Sequence, residues 1–181
     1  MRWVKFLLSL VLTGGLLFVL QKPMGPVTFS AGHFLSPFHG FWQNAASDQN
    51  HPTETLSFPD LSAEVEVVMD DRGVPHIFAE NDADLAFVQG YVTAKDRLWQ
   101  MEFQVFAASG RLTEFLPAAS QEAALGFCKQ MRRLGMVFAA ERAWQEIQED
   151  KETRLWLESY TDGVNAYIST LKPADYPLEY K

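Results

Sequence analysis

Only one cysteine, Cys128, occurs in 181 residues. No internal disulfide framework is therefore possible, and the residue is expected as a small buried apolar group on a helix. Basic residues are in the minority: 15 Lys and Arg against 23 Asp and Glu give a net charge of -8. That balance argues against nucleic acid as a partner. No phosphate-binding glycine loop, zinc-ligand spacing, G-x-S-x-G elbow or usable Ser-His-Asp order occurs, which leaves the common sequence-legible catalytic classes without support. His33, His39 and His51 have no carboxylate or thiol neighbours at metal-ligand spacing and read as surface residues. Internal repeats and low-complexity tracts are missing too. What the chain does have is 48% hydrophobic and 13% aromatic content, enough to bury the core of one domain.

The N-terminus carries Arg2 and Lys5, then an apolar run from Phe6 to Leu20, then Lys22 and Pro23. Basic flanks around an apolar run at the first residues mark an export signal or membrane anchor. No small-x-small cleavage site follows Leu20, so the reading is an uncleaved signal anchor. Pro23 to Asp71 contains no Lys or Arg, and the expectation is that this stretch is translocated while the basic flank stays in the cytoplasm. Pro23, Pro26, Pro37, Pro52 and Pro59 make residues 23–61 a linker by composition. Its aromatics, Phe34, Phe38, Phe41 and Trp42, suit packing on the body or a bilayer surface.

From Val65 the pattern changes. Val65, Val67 and Met69 alternate with Glu64, Glu66 and Val68, the period of a strand with one buried face. Asp70-Asp71-Arg72-Gly73 suits a type I turn, and Val74 to Ala79 a return strand with Pro75 on an edge. Asn81 is expected to cap a long helix with Asp84 in its first turn. Phe87, Tyr91, Ala94, Leu98, Met101 and Val105 form one apolar face, widened by Val88, Val92, Trp99 and Phe106. Gln89, Thr93, Asp96, Arg97, Gln100 and Gln104 form the polar stripe. Gly110 is placed as a left-handed cap, and Gly90 invites a bend or a close helix contact. Leu112 to Leu116 is expected as a short turn before Pro117. Ser120 then reads as the cap of a helix carrying Leu125, Phe127, Met131, Leu134, Val137 and Phe138, broken at Gly135. Asp150 reads as the cap of the last helix, where Trp156, Tyr160, Val164, Tyr167 and Leu171 repeat until Pro173 stops it. Gly163 there allows a neighbouring backbone to approach.

Few residues offer chemistry. Asp96 and Arg97, about 100° apart on a helix, read as structural ion-pair partners rather than as two groups facing one atom. His76 reads as a satisfied buried histidine rather than a general base. Asp162 and Asn165, one turn apart, read as a solvated or packing face.

Four ordered pieces resemble the penicillin acylase family of N-terminal nucleophile hydrolases: D-D-R-G-V-P-H-I-F-A-E-N, G-Y-V-T-A-K-D-R-L-W-Q-M-E, A-S-G-R-L-T-E-F and L-W-L-E-S-Y-T-D-G-V-N-A-Y-I. P-L-E-Y at Pro177 to Tyr180 resembles the family's next segment, and the region these pieces span is about two-thirds of the chain. The resemblance implies an α+β, mainly helical piece, a short hairpin followed by packed helices, within an αββα fold. It implies an amide hydrolase whose nucleophile is the N-terminal Ser of a β chain, with that residue's own α-amino group as base. A reference α-amine pKa near ~8 suits the role at neutral pH.

None of the ten serines follows a glycine, and no Gly-Thr or Gly-Cys pair occurs either, so no self-cleavage junction of the family's usual kind can be placed. By resemblance the oxyanion donors and most calcium ligands lie on the β chain, and the remaining calcium ligand and α-chain pocket residues fall beyond Lys181. No catalytic, cofactor or metal residue is accordingly assigned to this sequence. The expected organisation is a signal sequence or signal anchor at 1–22, a Pro- and aromatic-rich linker at 23–61, and the N-terminal part of an acylase α-chain domain at 62–181. Its expected partners are the rest of the α chain, the β chain and, through the N-terminal segment, a membrane on the extracytoplasmic side. A non-enzymatic membrane-anchored helical module and a scaffold relative without chemistry are the rival classes. Penicillins, acyl-homoserine lactones and other N-acyl compounds all remain open as substrates.

Overall fold

The computed structural model describes residues 2–22, 30–36, 40, 55–116 and 118–180. The expectations for Pro23, Pro26, Pro37, Phe38, His39, Phe41, Trp42, His51, Pro52 and Pro117 lie outside those residues. An N-terminal helix, Arg2–Leu20, has no buried residue. Its length and its mean hydropathy of 2.1 are sufficient for a membrane crossing. A short helix, Ala31–Phe34, comes next, its start capped by Ser30.

The body opens with a two-stranded antiparallel hairpin, Glu66–Met69 paired with Pro75–Phe78. In the register, Val67 faces Ile77 and Val68 faces His76. The turn forms as the sequence implies. Gly73 N–H donates to the Asp70 carbonyl at 3.0 Å, and Gly73 takes a φ of 74°. Asp70 N–H closes the loop on the Val74 carbonyl at 3.0 Å, giving a type I turn followed by a left-handed glycine. The Asp70 carboxylate accepts from Arg72 N–H and Val74 N–H at 2.9 and 2.8 Å. Val65, Met69, Pro75 and Ile77 are half-buried, while Val68, His76 and Phe78 on the opposite face are exposed. His76 is therefore not the buried histidine the sequence suggested. It sits on the outward face of the pleat, with its side chain 54% exposed.

The central helix, Asp82–Ala108, is capped by Asn81, whose side chain accepts from Asp84 N–H. Ala86, Phe87, Val88, Tyr91 and Ala94 are its buried face. Most of the packing joins this helix to the last long helix, Lys151–Thr170. The helix breaks at Arg97, with φ -141° and ψ 24°, while at Gly90 the close helix contact forms, against the Tyr160 carbonyl. Beyond that break Leu98 and Met101 stay half-buried, but Val105, expected inside, lines an open groove between the two helices and is 61% exposed.

Gly110 ends the helix with a φ of 67°. Gly110 N–H donates to the Ala107 carbonyl and Arg111 N–H to the Phe106 carbonyl, at 3.1 and 2.8 Å, the paired bonds of a Schellman cap. A short 3-10 turn, Leu112–Glu114, leads to helix Ala118–Leu134. Ser120 lies inside that helix's first turn rather than at its cap. Gly135, with a φ of 70°, separates it from helix Met136–Ile147. Leu134, Met136, Val137 and Phe138 at this corner are about half exposed or more. Asp150 caps the final long helix by accepting from Glu152 N–H and Thr153 N–H. After its end come two short turns, Pro173–Asp175 and Leu178–Tyr180.

Candidate functional site

Asp84 is the most completely engaged polar group described, with 2% of its surface exposed. It accepts from Ser62 N–H at 3.0 Å, Ser62 Oγ at 2.8 Å, Ala63 N–H at 3.0 Å and Asn81 Nδ2 at 2.6 Å. Burial pushes its pKa up, but the Ser62 N–H, the Asn81 amide, the Ser62 hydroxyl and the Ala63 N–H together outweigh it and hold the carboxyl below its ordinary value. The first turn of a helix adds free N–H dipoles that favour the same anion. Asp84 was legible as a helix-start acid. Its partners, about twenty residues earlier in the chain, were not. Beside this clamp, the Phe58 ring packs on Phe87 and Tyr91 at centroid distances of 5.3 and 5.0 Å.

The central and final helices cross at two glycines. A Cβ at Gly90 would overlap the Tyr160 carbonyl, and one at Gly163 the Phe87 carbonyl. Below the crossing the helices diverge around an open groove of about 610 Å³. Its lining is mostly apolar, with Met101 and Val105 on one wall and Val164, Ile168 and Leu171 on the other. Tyr180 closes one end by donating from its hydroxyl to Glu102. Burial and that carboxylate raise the Tyr180 pKa, so the phenol stays protonated. Trp99 meets Phe115 and Tyr180 edge-on at 5.4 and 5.2 Å, and Phe106 joins Phe115 at 5.1 Å. Arg111 lies over the Phe106 ring at 4.7 Å and forks onto Glu114 at 2.8 and 2.7 Å. Of the groove's polar side chains, Glu102 is thus held by Tyr180 and Arg111 by Glu114.

The residues considered for chemistry are not brought together. His76 Nε2 stands 3.5 Å from Asp70 Oδ2 at the exposed hairpin tip, and no Ser, Thr or Cys side chain bonds to it among the described residues. Arg97 donates to Gln100 at 3.3 Å. Neither Asp96 nor Arg97 enters an ion pair among the described residues, so the pairing expected of them is not made. Cys128 is buried at 3% exposure, its carbonyl against Gly110. Asp162, Asn165 and His33 are exposed. Among the described residues no three His, Cys, Asp or Glu side chains gather within reach of one metal ion.

What the arrangement provides is a closely packed helix pair with a hairpin against it, a scaffold shared with known proteins. The family model for penicillin amidase matches residues 64–181. The chain belongs to the penicillin amidase family. Penicillin acylase 2 proenzyme from Pseudomonas sp. (strain SE83) is 40% identical over 126 residues, 70% of this chain. Penicillin G acylase from Escherichia coli is 36% identical over 107 residues, 59% of this chain. Acyl-homoserine lactone acylase QuiP from Pseudomonas fluorescens is 32% identical over 108 residues, 60% of this chain. The chain spans 15%, 12% and 13% of these relatives' lengths. A solved structure of thermostable penicillin G acylase from Alcaligenes faecalis superposes with a TM-score of 0.57 at 33% identity, over 65% of this chain and 60% of that one. The hairpin and helices are thus a mainly helical part of an N-terminal nucleophile hydrolase fold.

Proposed function

We propose that this sequence is the leading part of an exported amidohydrolase that cleaves the amide bond of N-acyl compounds, penicillins and acyl-homoserine lactones among them. The observation that carries the reading is the identity of 40% and 36% to two penicillin acylases across this scaffold. The N-terminal helix, apolar and long enough to serve as signal or anchor, supports export. In this reading the nucleophile is an N-terminal Ser on a β chain outside this sequence, as are the oxyanion donors and any calcium ligands. The residues present contribute positioning. The glycine crossing and the Asp84 clamp fix the hairpin and the helix pair, and the exposed apolar corner around Leu134 and Phe138 is left for the rest of the precursor to cover.

The test is hydrolysis of chromogenic phenylacetyl and long-chain acyl amides by purified residues 23–181, beside the full-length product of the same locus. Turnover by the long product alone is expected, since scaffold without nucleophile retains little catalysis. Turnover by the short form that survives repurification would overturn the assignment. Inactivity of both on every amide would favour a scaffold without chemistry.

A further inference from the structure

We infer that the folded amidase body includes Phe58, ahead of the family match at residue 64, and that any proteolytic removal of the N-terminal helix must hydrolyse a peptide bond before Phe58. The body boundary rests on contacts alone, while the processing limit also rests on the export reading above. Composition puts residues up to 61 in a linker, yet the Phe58 ring is seated on Phe87 and Tyr91. Those two side chains are among the most buried in the chain. Four residues on, the Ser62 and Ala63 amides and the Ser62 hydroxyl all terminate on Asp84. Ser62 Oγ also accepts from Asn81 Nδ2 at 3.0 Å, which ties the strap to the helix cap itself.

A chain starting at Glu64 would strip Asp84 of these three donors and leave it with Asn81 alone. A nearly buried carboxylate deprived of its donors is costly, and Phe87 and Tyr91 would lose the ring that covers them. A cut ahead of Thr55 touches none of these contacts.

The experiment uses the full-length precursor started at its native Met, at Thr55 or at Glu64. The Thr55 form is expected to be the more stable of the two truncations, and the Glu64 form to unfold at a lower temperature or to be insoluble. Equal midpoints for the Thr55 and Glu64 forms would overturn the boundary. Independently of whether the Glu64 form folds, hydrogen exchange in the Thr55 form should show Ser62 and Ala63 amides slowed by about tenfold or more, the protection of one net hydrogen bond. Exchange there as fast as in Asp84→Ala would overturn it as well. Sequencing the N-terminus of the protein from its host decides the processing limit: a start at or before Phe58 is expected, and a start beyond it refutes the limit. An uncut cytosolic protein would instead sink the export reading while the exchange result still decides the boundary.

Discussion

Gly90 and Gly163 lie on opposite sides of one helix crossing, each against the backbone carbonyl of the residue three positions before the other. The reciprocity brings the two backbones closer than any side chain at either position would allow. Substitution to Ala gains about 1 kcal/mol of helix propensity. The added methyl meets backbone, which cannot swing aside, and overpacking of this kind costs on the order of 1–3 kcal/mol or more. The clash should win. Gly90→Ala and Gly163→Ala are each expected to lower the denaturation midpoint, whereas Gly126→Ala, with nothing within 4 Å of its Cβ, should raise it. A stabilised Gly163→Ala would mean the helices do not cross there.

Acid should release the Asp84 clamp. The folded-state pKa lies below the ordinary 3.8, so as the pH falls the unfolded chain takes up this proton first. The group's contribution to stability is therefore complete above the unfolded value and is lost as pH falls through the folded one. Asp70, Glu114 and Asp150 are lowered too, so the informative quantity is a difference. Asp84→Asn should be less stable than the parent near neutrality, with the gap narrowing as the pH falls below about 4. A gap independent of pH, followed by urea denaturation, would show that the carboxylate's charge is not what the clamp uses.

Trp99 and Gln100 are neighbours with opposite roles. Trp99 is half-buried against Phe115 and Tyr180, and Gln100 is exposed. Trp99→Ala is expected to cost about 2–4 kcal/mol, somewhat under the full-burial range, and Gln100→Ala less than about 0.5 kcal/mol. Equal shifts in the urea midpoint would place the Trp99 ring in solvent.

The sequence rendered local structure well because caps and turns are short-range chemistry. Asn81, Asp150, Gly73, Gly110 and Gly135 all act within a few residues of themselves, and each is where its side chain or its missing Cβ is needed. Gly90 and Gly163 were legible as places of close approach, though not as partners, because nothing in one helix names its neighbour. The reading failed where two levels interact. His76 was assigned to the core from its residue type, but the pleat turns Val68, His76 and Phe78 outward together. Periodicity puts Val105 on the face towards the final helix, where it does lie, but cannot show that the space between the helices there is an open groove. The Ser62–Asp84 bonds join residues 22 apart, beyond any window in which spacing carries information.

The last expectation concerns the N-terminal helix. Its 19 residues rise about 28 Å at ~1.5 Å each, close to the ~30 Å hydrocarbon thickness of a bilayer. None of its residues is buried, and its C-terminal end meets the short helix Ala31–Phe34. Orientation is set by charge: Arg2 and Lys5 precede the apolar run, Lys22 comes after it, and no Lys or Arg occurs again before Arg72. Under the export proposal, cytoplasmic retention of the basic side would place everything after Pro23 across the membrane. A phosphatase that is active only outside the cytoplasm, fused after Asn50, should be active, and a fluorescent reporter that folds only in the cytoplasm should stay dark. Moving the charge bias, by Arg2→Glu and Lys5→Glu together with added lysines after Lys22, should reduce the phosphatase signal several-fold, because the bias then favours the opposite orientation. A bright cytoplasmic reporter in the unmodified sequence would show that the helix neither exports nor anchors the chain in this sense, and the extracytoplasmic placement of the amidase would fall with it.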